Sequence, residues 1–233
     1  MKKFLLVLVI FSAFHIEKIN AQDANNPIDP SPTVGLWNRF YSNDQSRLQL
    51  LANMSSGKWF YRFSAEYEFN YGDDYPEQYN YDESNRLNEN QFNSANFLVA
   101  RLFQTEDGKH NFGFGAVISY FHETKFAGGV NFVSVSKLGK WKFISLATLQ
   151  TGKNVFSMEF QPGIYHDFER GWYFRSHPRM LFNFRTGQHE VPLGAGFGKI
   201  FNETDTVYNL FFEPQYDVIN TKPMLYTGIK VLF

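Results

Sequence analysis

From Gly171 to Arg185 the chain alternates: Trp172, Phe174, Met180, Phe182 and Phe184 fall on one side, and Tyr173, Arg175, His177, Arg179, Asn183 and Arg185 on the other. A period of two is the signature of a strand. After Arg185-Thr186-Gly187-Gln188 the pattern resumes, with Val191, Leu193, Ala195, Phe197 and Phe201 on an apolar face and Glu190, Pro192, Gly194, Gly196 and Gly198 opposite. The two segments predict a hairpin with one greasy surface and one charged or empty surface. Trp59 to Tyr71 repeats the logic, setting Trp59, Tyr61, Phe63, Ala65, Tyr67, Phe69 and Tyr71 against Arg62, Ser64, Glu66, Glu68 and Asn70. A sheet-on-sheet core only ~10 Å thick has little room for so aromatic a face. Lipid outside and water inside accommodates it.

The same reading along the chain gives twelve candidate strands, over 34–42, 46–54, 58–71, 91–104, 109–122, 127–137, 140–151, 153–166, 171–185, 189–201, 206–219 and 222–233. Most reach the ~9–11 residues that a tilted membrane strand needs. Compact links at Ser55-Ser56-Gly57, Glu106-Asp107-Gly108, Leu138-Gly139, Asp167 to Arg170 and Asn202 to Asp205 all fall on one side, and the long Gly72–Asn90 link on the other. That parity matches barrels with short periplasmic turns, long outer loops and an even strand number. It holds only if the weakest candidate, Val34–Ser42, is a strand.

Composition sharpens this. Aromatic residues make up 19% of the chain, with 27 Phe and 13 Tyr, as an outer apolar band and interfacial girdles require. Met1 to Ala21 has a basic start, an apolar run over Phe4–Phe14 and a small residue before Gln22, and it reads as a secretory signal peptide. Gln22 to Thr33 reads as a periplasmic lead-in, and 34–233 as the barrel. Without the leader, 19 Lys and Arg stand against 22 Asp and Glu, so nothing points to nucleic acid. The absence of Cys excludes disulfides and thiolate metal sites. The fold class expected is an all-β, transmembrane, antiparallel up-and-down β-barrel of ten to twelve strands.

The last strand alternates Leu225, Thr227, Ile229, Val231 and Phe233 outward. Its terminal Phe233 resembles the C-terminal signal read by the outer-membrane assembly machinery. Over 171–218 the elements Gly171-Trp172-Tyr173-Phe174-Arg175-Ser176-x-Pro178, Val191-Pro192-Leu193-Gly194-x-Gly196-x-Gly198-Lys199-x-Phe201 and Tyr216-Asp217-Val218 resemble the MetA-pathway-of-phenol-degradation family of outer-membrane barrels. That resemblance implies a transport-like role in the outer membrane of a Gram-negative bacterium and tilts the cargo towards hydrophobic or aromatic compounds. The partners expected are outer-membrane lipids, the assembly machinery and a small-molecule solute. The alternatives are a lipid-modifying enzyme and a closed structural or adhesive barrel.

Candidate chemistry lies on the polar face. The glycines of Gly194-x-Gly196-x-Gly198-Lys199 alternate within a strand and do not open a helix, so they are no phosphate loop. They read as inward positions that leave room in the lumen. If the turns after Arg185 and Asn202 are tight, pairing sets Arg179 near Gly196, Glu159 opposite Arg179, Gln161 opposite His177 and Glu213 one pair from Gly196. Glu159, Arg175, His177, Arg179 and Glu213 are therefore the lumen residues expected to line a constriction. Such a network either plugs a narrow barrel with ion pairs or sets selectivity. Ser176 and His177 are neighbours in a strand and point to opposite faces, so no catalytic pair is expected there and the chain is not read as an enzyme. The histidines lack metal-ligand spacing, and no cofactor or metal is expected. The acidic, tyrosine-rich 72–90 loop carries no EF-hand spacing.

Overall fold

The structure, a computed structural model, describes residues 32–70, 90–203 and 206–233. The leader, most of the lead-in and the acidic loop through Glu89 lie outside the described residues. Along the chain run β1 (Thr33–Tyr41), β2 (Gln45–Ser56), β3 (Trp59–Asn70), β4 (Gln91–Gln104), β5 (His110–Phe121), β6 (Lys125–Leu138), β7 (Trp141–Gly152) and β8 (Phe156–Asp167). A 3-10 turn at Glu169–Gly171 leads into β9 (Trp172–Ser176), β10 (Met180–Asn183), β11 (His189–Glu190), β12 (Pro192–Gly194), β13 (Gly196–Glu203), β14 (Thr206–Asp217) and β15 (Lys222–Leu232).

Each strand from β1 to β8 pairs antiparallel with the next; β8 then pairs β9, β9 pairs β13, and β13, β14 and β15 follow in order. β1 closes the ring by pairing both β15, from Thr33↔Leu232 to Tyr41↔Met224, and β2. The weakest expected strand is thus the one that seals the barrel. With β9 and β10 sharing one wall, and β11, β12 and β13 another, the result is a closed antiparallel barrel of twelve strands. Closure matters physically, because a sheet edge facing lipid would leave backbone groups without partners.

The alternation sorts as the sequence predicts. Phe126 at 69%, Phe197 at 57% and Phe114 at 56% are among the exposed aromatics. Arg39, Glu66, Lys142, Arg175, Arg179, Asn209 and Glu213 are buried inside. Gly57 (φ 57°) and Gly139 (φ 62°) supply the left-handed turns of two compact links at one end of the barrel, a conformation costly for residues with a Cβ. β3 and β4 slip register between Glu66 and Tyr67, and such a bulge re-aims a side chain.

Two features differ from the expectation. The lumen is not polar throughout: Leu98, Ala100, Val117, Val133 and Leu146, with Phe60 and Leu102 against them, form an apolar cluster on the inner face of β3 to β7. The spans 171–185 and 189–201 are not two continuous strands either; they break into β9–β10 and β11–β12–β13. Pro178 lies in the first break and Pro192 opens β12 just after the second, and proline cannot donate to a ladder.

Candidate functional site: the ion pairs of the lumen

Besides the Lys142–Asp167 pair at 2.6 Å, the inward face of the β8–β14 side carries three groups of ion pairs. Nearest the end where β10 turns into β11, Glu190 accepts from Arg39 Nη1 at 2.6 Å and from Arg47 Nη1 at 3.2 Å. The Tyr41 hydroxyl donates to the same carboxylate, and Arg47 Nε lies 3.7 Å from Glu68. At mid-height, Arg179 donates from Nη1 to Glu66 Oε2 and from Nη2 to Glu159 Oε2 at 2.8 Å. The other Glu66 oxygen accepts from Asn93 Nδ2 at 2.6 Å, and the other Glu159 oxygen accepts from Gln161. Beside this, Arg175 Nε donates to Glu213 Oε2 at 2.6 Å, while Glu213 Oε1 accepts the His177 backbone N–H at 3.0 Å and Gln215 Nε2 at 2.7 Å. The Arg175 guanidinium also sits 3.6 Å from the Phe211 ring centroid, a cation–π contact that is strongest when desolvated.

The middle group is the one that crosses the barrel. Going round the wall, β3 and β9 are six strands apart in either direction, so Glu66 and Arg179 reach each other from opposite sides. Both are buried. A carboxylate and a guanidinium that meet across a lumen in charge-assisted hydrogen bonds narrow the passage at that level. Burying them is tolerable only because every charge has a partner.

No family model and no curated protein matches the chain. Among solved structures it is similar to "KdgM porin in complex with disordered oligogalacturonate" (TM-score 0.60, 5% identity) and "KdgM porin" (TM-score 0.58, 7% identity), each covering 86% of this chain and 99% of that one. The fold is that of an outer-membrane β-barrel. At such identity the likeness shows the fold alone. Outer membrane phospholipase A from Escherichia coli aligns at TM-score 0.43 and 11% identity, over 92% of this chain and 98% of that one, too weakly to carry an argument.

The barrel brings some of the expected lumen residues together and separates others. Glu159 and Arg179 are in contact, but Glu213 belongs to Arg175 and not to Arg179. The cause is the turn between β10 and β11. Asn183 accepts the N–H groups of Arg185 and Thr186 on its side chain, at 3.1 and 3.2 Å, so the chain turns two residues earlier than a tight link after Arg185 would. That moves the pairing between these two walls by four, and Gly196 faces Arg175 where Arg179 was expected. On the other flank Glu159 pairs Leu181, and Arg179 reaches it diagonally. His177 does not face Gln161; it accompanies Gly163, and its Nδ1 lies 2.6 Å from the Tyr165 hydroxyl.

The glycines do not open space. A Cβ on Gly198 would lie 2.1 Å from the Tyr173 ring, and one on Gly196 or Gly194 would strike the backbone of β14 at 1.9 or 2.2 Å. They let neighbouring walls and the Tyr173 ring close in. Glu66 was legible as an inward residue but not as the partner of Arg179, because the bulge that aims it has no mark in the alternation. Arg39 and Arg47 lie on strands that the residue pattern did not connect to Glu190. For catalysis, Ser176 donates to the Gly194 carbonyl at 2.6 Å and turns away from His177. His110 Nδ1 and Ser136 Oγ do lie 2.7 Å apart, as an exposed cross-strand pair without a carboxylate on the ring among the described residues. No group of metal-ligating side chains occurs among the described residues.

Proposed function

We propose that this barrel is a passive outer-membrane channel for small molecules, with the Glu66–Arg179–Glu159 bridge as its neck and Arg175, His177 and Glu213 as neighbouring lumen groups. The observation that carries the reading is the contact of Arg179 with a carboxylate on the opposite wall. Beside the neck lies a small cavity of about 20 Å³, lined by Arg62, Thr148 and Glu159 together with Leu98, Val117 and Leu146. That is room for a water molecule. The polar and apolar side chains that meet there give the lumen a mixed surface, and the resemblance to the phenol-degradation family implies a small hydrophobic or aromatic cargo. The oligogalacturonate bound by the KdgM porin is a polyanion; here Arg39, Arg47, Arg175 and Arg179 already hold carboxylates, which disfavours such a ligand. Phe233, whose N–H donates to the Pro32 carbonyl at 3.1 Å, serves the assembly machinery in this account.

Planar-bilayer recording tests the reading. Wild type should show small unitary steps, and Arg179→Ala steps several-fold larger. A silent wild type together with a silent Arg179→Ala would instead identify a closed structural barrel.

A further inference from the structure

The wall between β8 and β14 contains a seam. On its β8 flank, pairing stops at Ile164↔Ser176 and resumes at Met180↔Phe160, leaving His177 to Arg179 unpaired. On the other flank it stops at Arg175↔Gly196 and resumes at Leu181↔Glu190, so Ser176–Met180 and the facing Val191–Ala195 share no ladder. β12 stays attached to β14 through Pro192↔Asp217 to Gly194↔Gln215. The break in the ladder therefore lies between the β9–β10 wall and the β11–β12–β13 wall, near the middle of both, spanned by the bond from the Ser176 hydroxyl to the Gly194 carbonyl.

The seam has a cause in the sequence. The β8 register sets Pro162 directly across from Pro178, and Pro192 lies on the far lip. Three prolines in three neighbouring walls remove N–H donors where a ladder would need them. Irregular backbone at membrane depth persists only where it is buried in protein or lines a cavity, and here the replacement partners come from the lumen. Glu213 takes the His177 N–H, Asp217 Oδ1 takes the Val191 N–H at 3.2 Å, and the Ser176 hydroxyl caps the Gly194 carbonyl. Both carboxylates are fully buried. Arg179, tied to Glu66 and Glu159, holds the segment inward, and Pro178 is buried although its parity places it on the lipid face.

The two sides of the seam differ in chemistry. Its lumen side presents His177 and Arg179, next to Glu159 and the cavity. Its lipid side presents Met180, Leu193 and Phe197. An ion cannot leave through an apolar rim, whereas a small apolar solute gains by doing so. We propose that the seam is a lateral portal, through which small, largely apolar solutes that enter the lumen from outside pass into the bilayer hydrocarbon and do not continue to the periplasm. This rests on the channel reading above and adds a second exit to it.

The chain has no cysteine, so the seam can be stapled cleanly. Met180→Cys/Val191→Cys joins its outer-mouth end, and Ser176→Cys/Ala195→Cys its periplasmic end; each pair is closed by oxidation or by a short bis-methanethiosulfonate linker. Uptake of N-phenyl-1-naphthylamine by cells carrying the barrel is compared with potassium chloride conductance of the same purified variant. Heat-modifiable migration, and recovery of uptake on reduction, establish that the stapled barrel is folded. The portal predicts at least a tenfold loss of probe uptake on stapling, reversed by reductant, with conductance unchanged. Stapled barrels that take up the probe as fast as reduced ones would overturn it. Wild type that conducts salt but takes up no more probe than cells lacking the barrel would overturn the portal and leave the channel standing. Wild type that does neither would remove both.

Discussion

The β4–β7 and β8–β14 sides of the barrel are built from the same alternating pattern and solve the lumen differently. β5, β6 and β7 pair without interruption, from His110↔Ser136 to Phe121↔Lys125 and from Ala127↔Gly152 to Leu138↔Trp141. Their inner face closes over apolar side chains, with Leu98, Val117 and Leu146 in one cluster. The other side interrupts its ladders at prolines and carries Glu159, Arg175, Arg179, Glu190 and Glu213. A regular wall completes its own ladders, and its lumen side chains chiefly pack, with Asn131 adding bonds to the Val99 and Ala116 carbonyls at 3.0 and 2.8 Å. A broken wall needs them to satisfy the backbone, and in this barrel the same carboxylates serve the break and the charge network.

Removing a charge from the broken side should therefore cost most. Arg175→Ala leaves Glu213, at 0% exposure, with neutral donors only, and should lower unfolding stability by ~3–5 kcal/mol, read from urea titration in detergent by tryptophan fluorescence. On the regular side, Leu146→Ala should cost ~2–3 kcal/mol as a cavity and its lost transfer energy, with no change of ion selectivity in bilayer recording. A selectivity change would mean that the apolar wall also shapes the pore. Gly198→Ala forces the Tyr173 ring, and its 2.6 Å hydrogen bond to Asn209, to move. It should cost ~1–3 kcal/mol, and Tyr173→Ala should relieve much of that penalty in the double variant.

The smallest effect lies outside the membrane, in the turn after β4. The Thr105 hydroxyl, followed by the Lys109 backbone N–H, holds the exposed Asp107 carboxyl below the ordinary aspartate range. A depressed folded-state pKa contributes stability above the unfolded value and loses it as pH falls through the folded one. Wild type should thus exceed Asp107→Asn slightly at pH 7, and the difference should vanish in acid below the ordinary aspartate range. A difference that persisted there would assign the effect to turn geometry and not to charge.

Alternation alone located the regular walls: the expected spans 91–104 and 206–219 correspond to Gln91–Gln104 and Thr206–Asp217. It also placed Trp59, Phe63 and Tyr67 on the outer face, where they are exposed. It failed where side-chain parity and backbone pairing part company. Parity still put Arg175 and Arg179 inside, but the two strands around Pro178 and Pro192 kept their alternation while losing the ladder between them. The prolines themselves were the available signal, since proline within an alternating run argues against a central strand. Register was not legible, because it depends on Asn183 starting the turn early. The cross-lumen partner was not legible either, since nothing in a strand's own pattern says which residue six walls away it will meet.

The most direct test of the neck is a double-mutant comparison by single-channel recording of wild type, Arg179→Ala, Glu66→Ala and the double variant. If the two side chains close the lumen together, each single change should raise unitary conductance several-fold, and the double variant should add little to either. Single variants that conduct as wild type does, or a double variant that multiplies the two gains, would contradict a neck formed by Glu66 and Arg179.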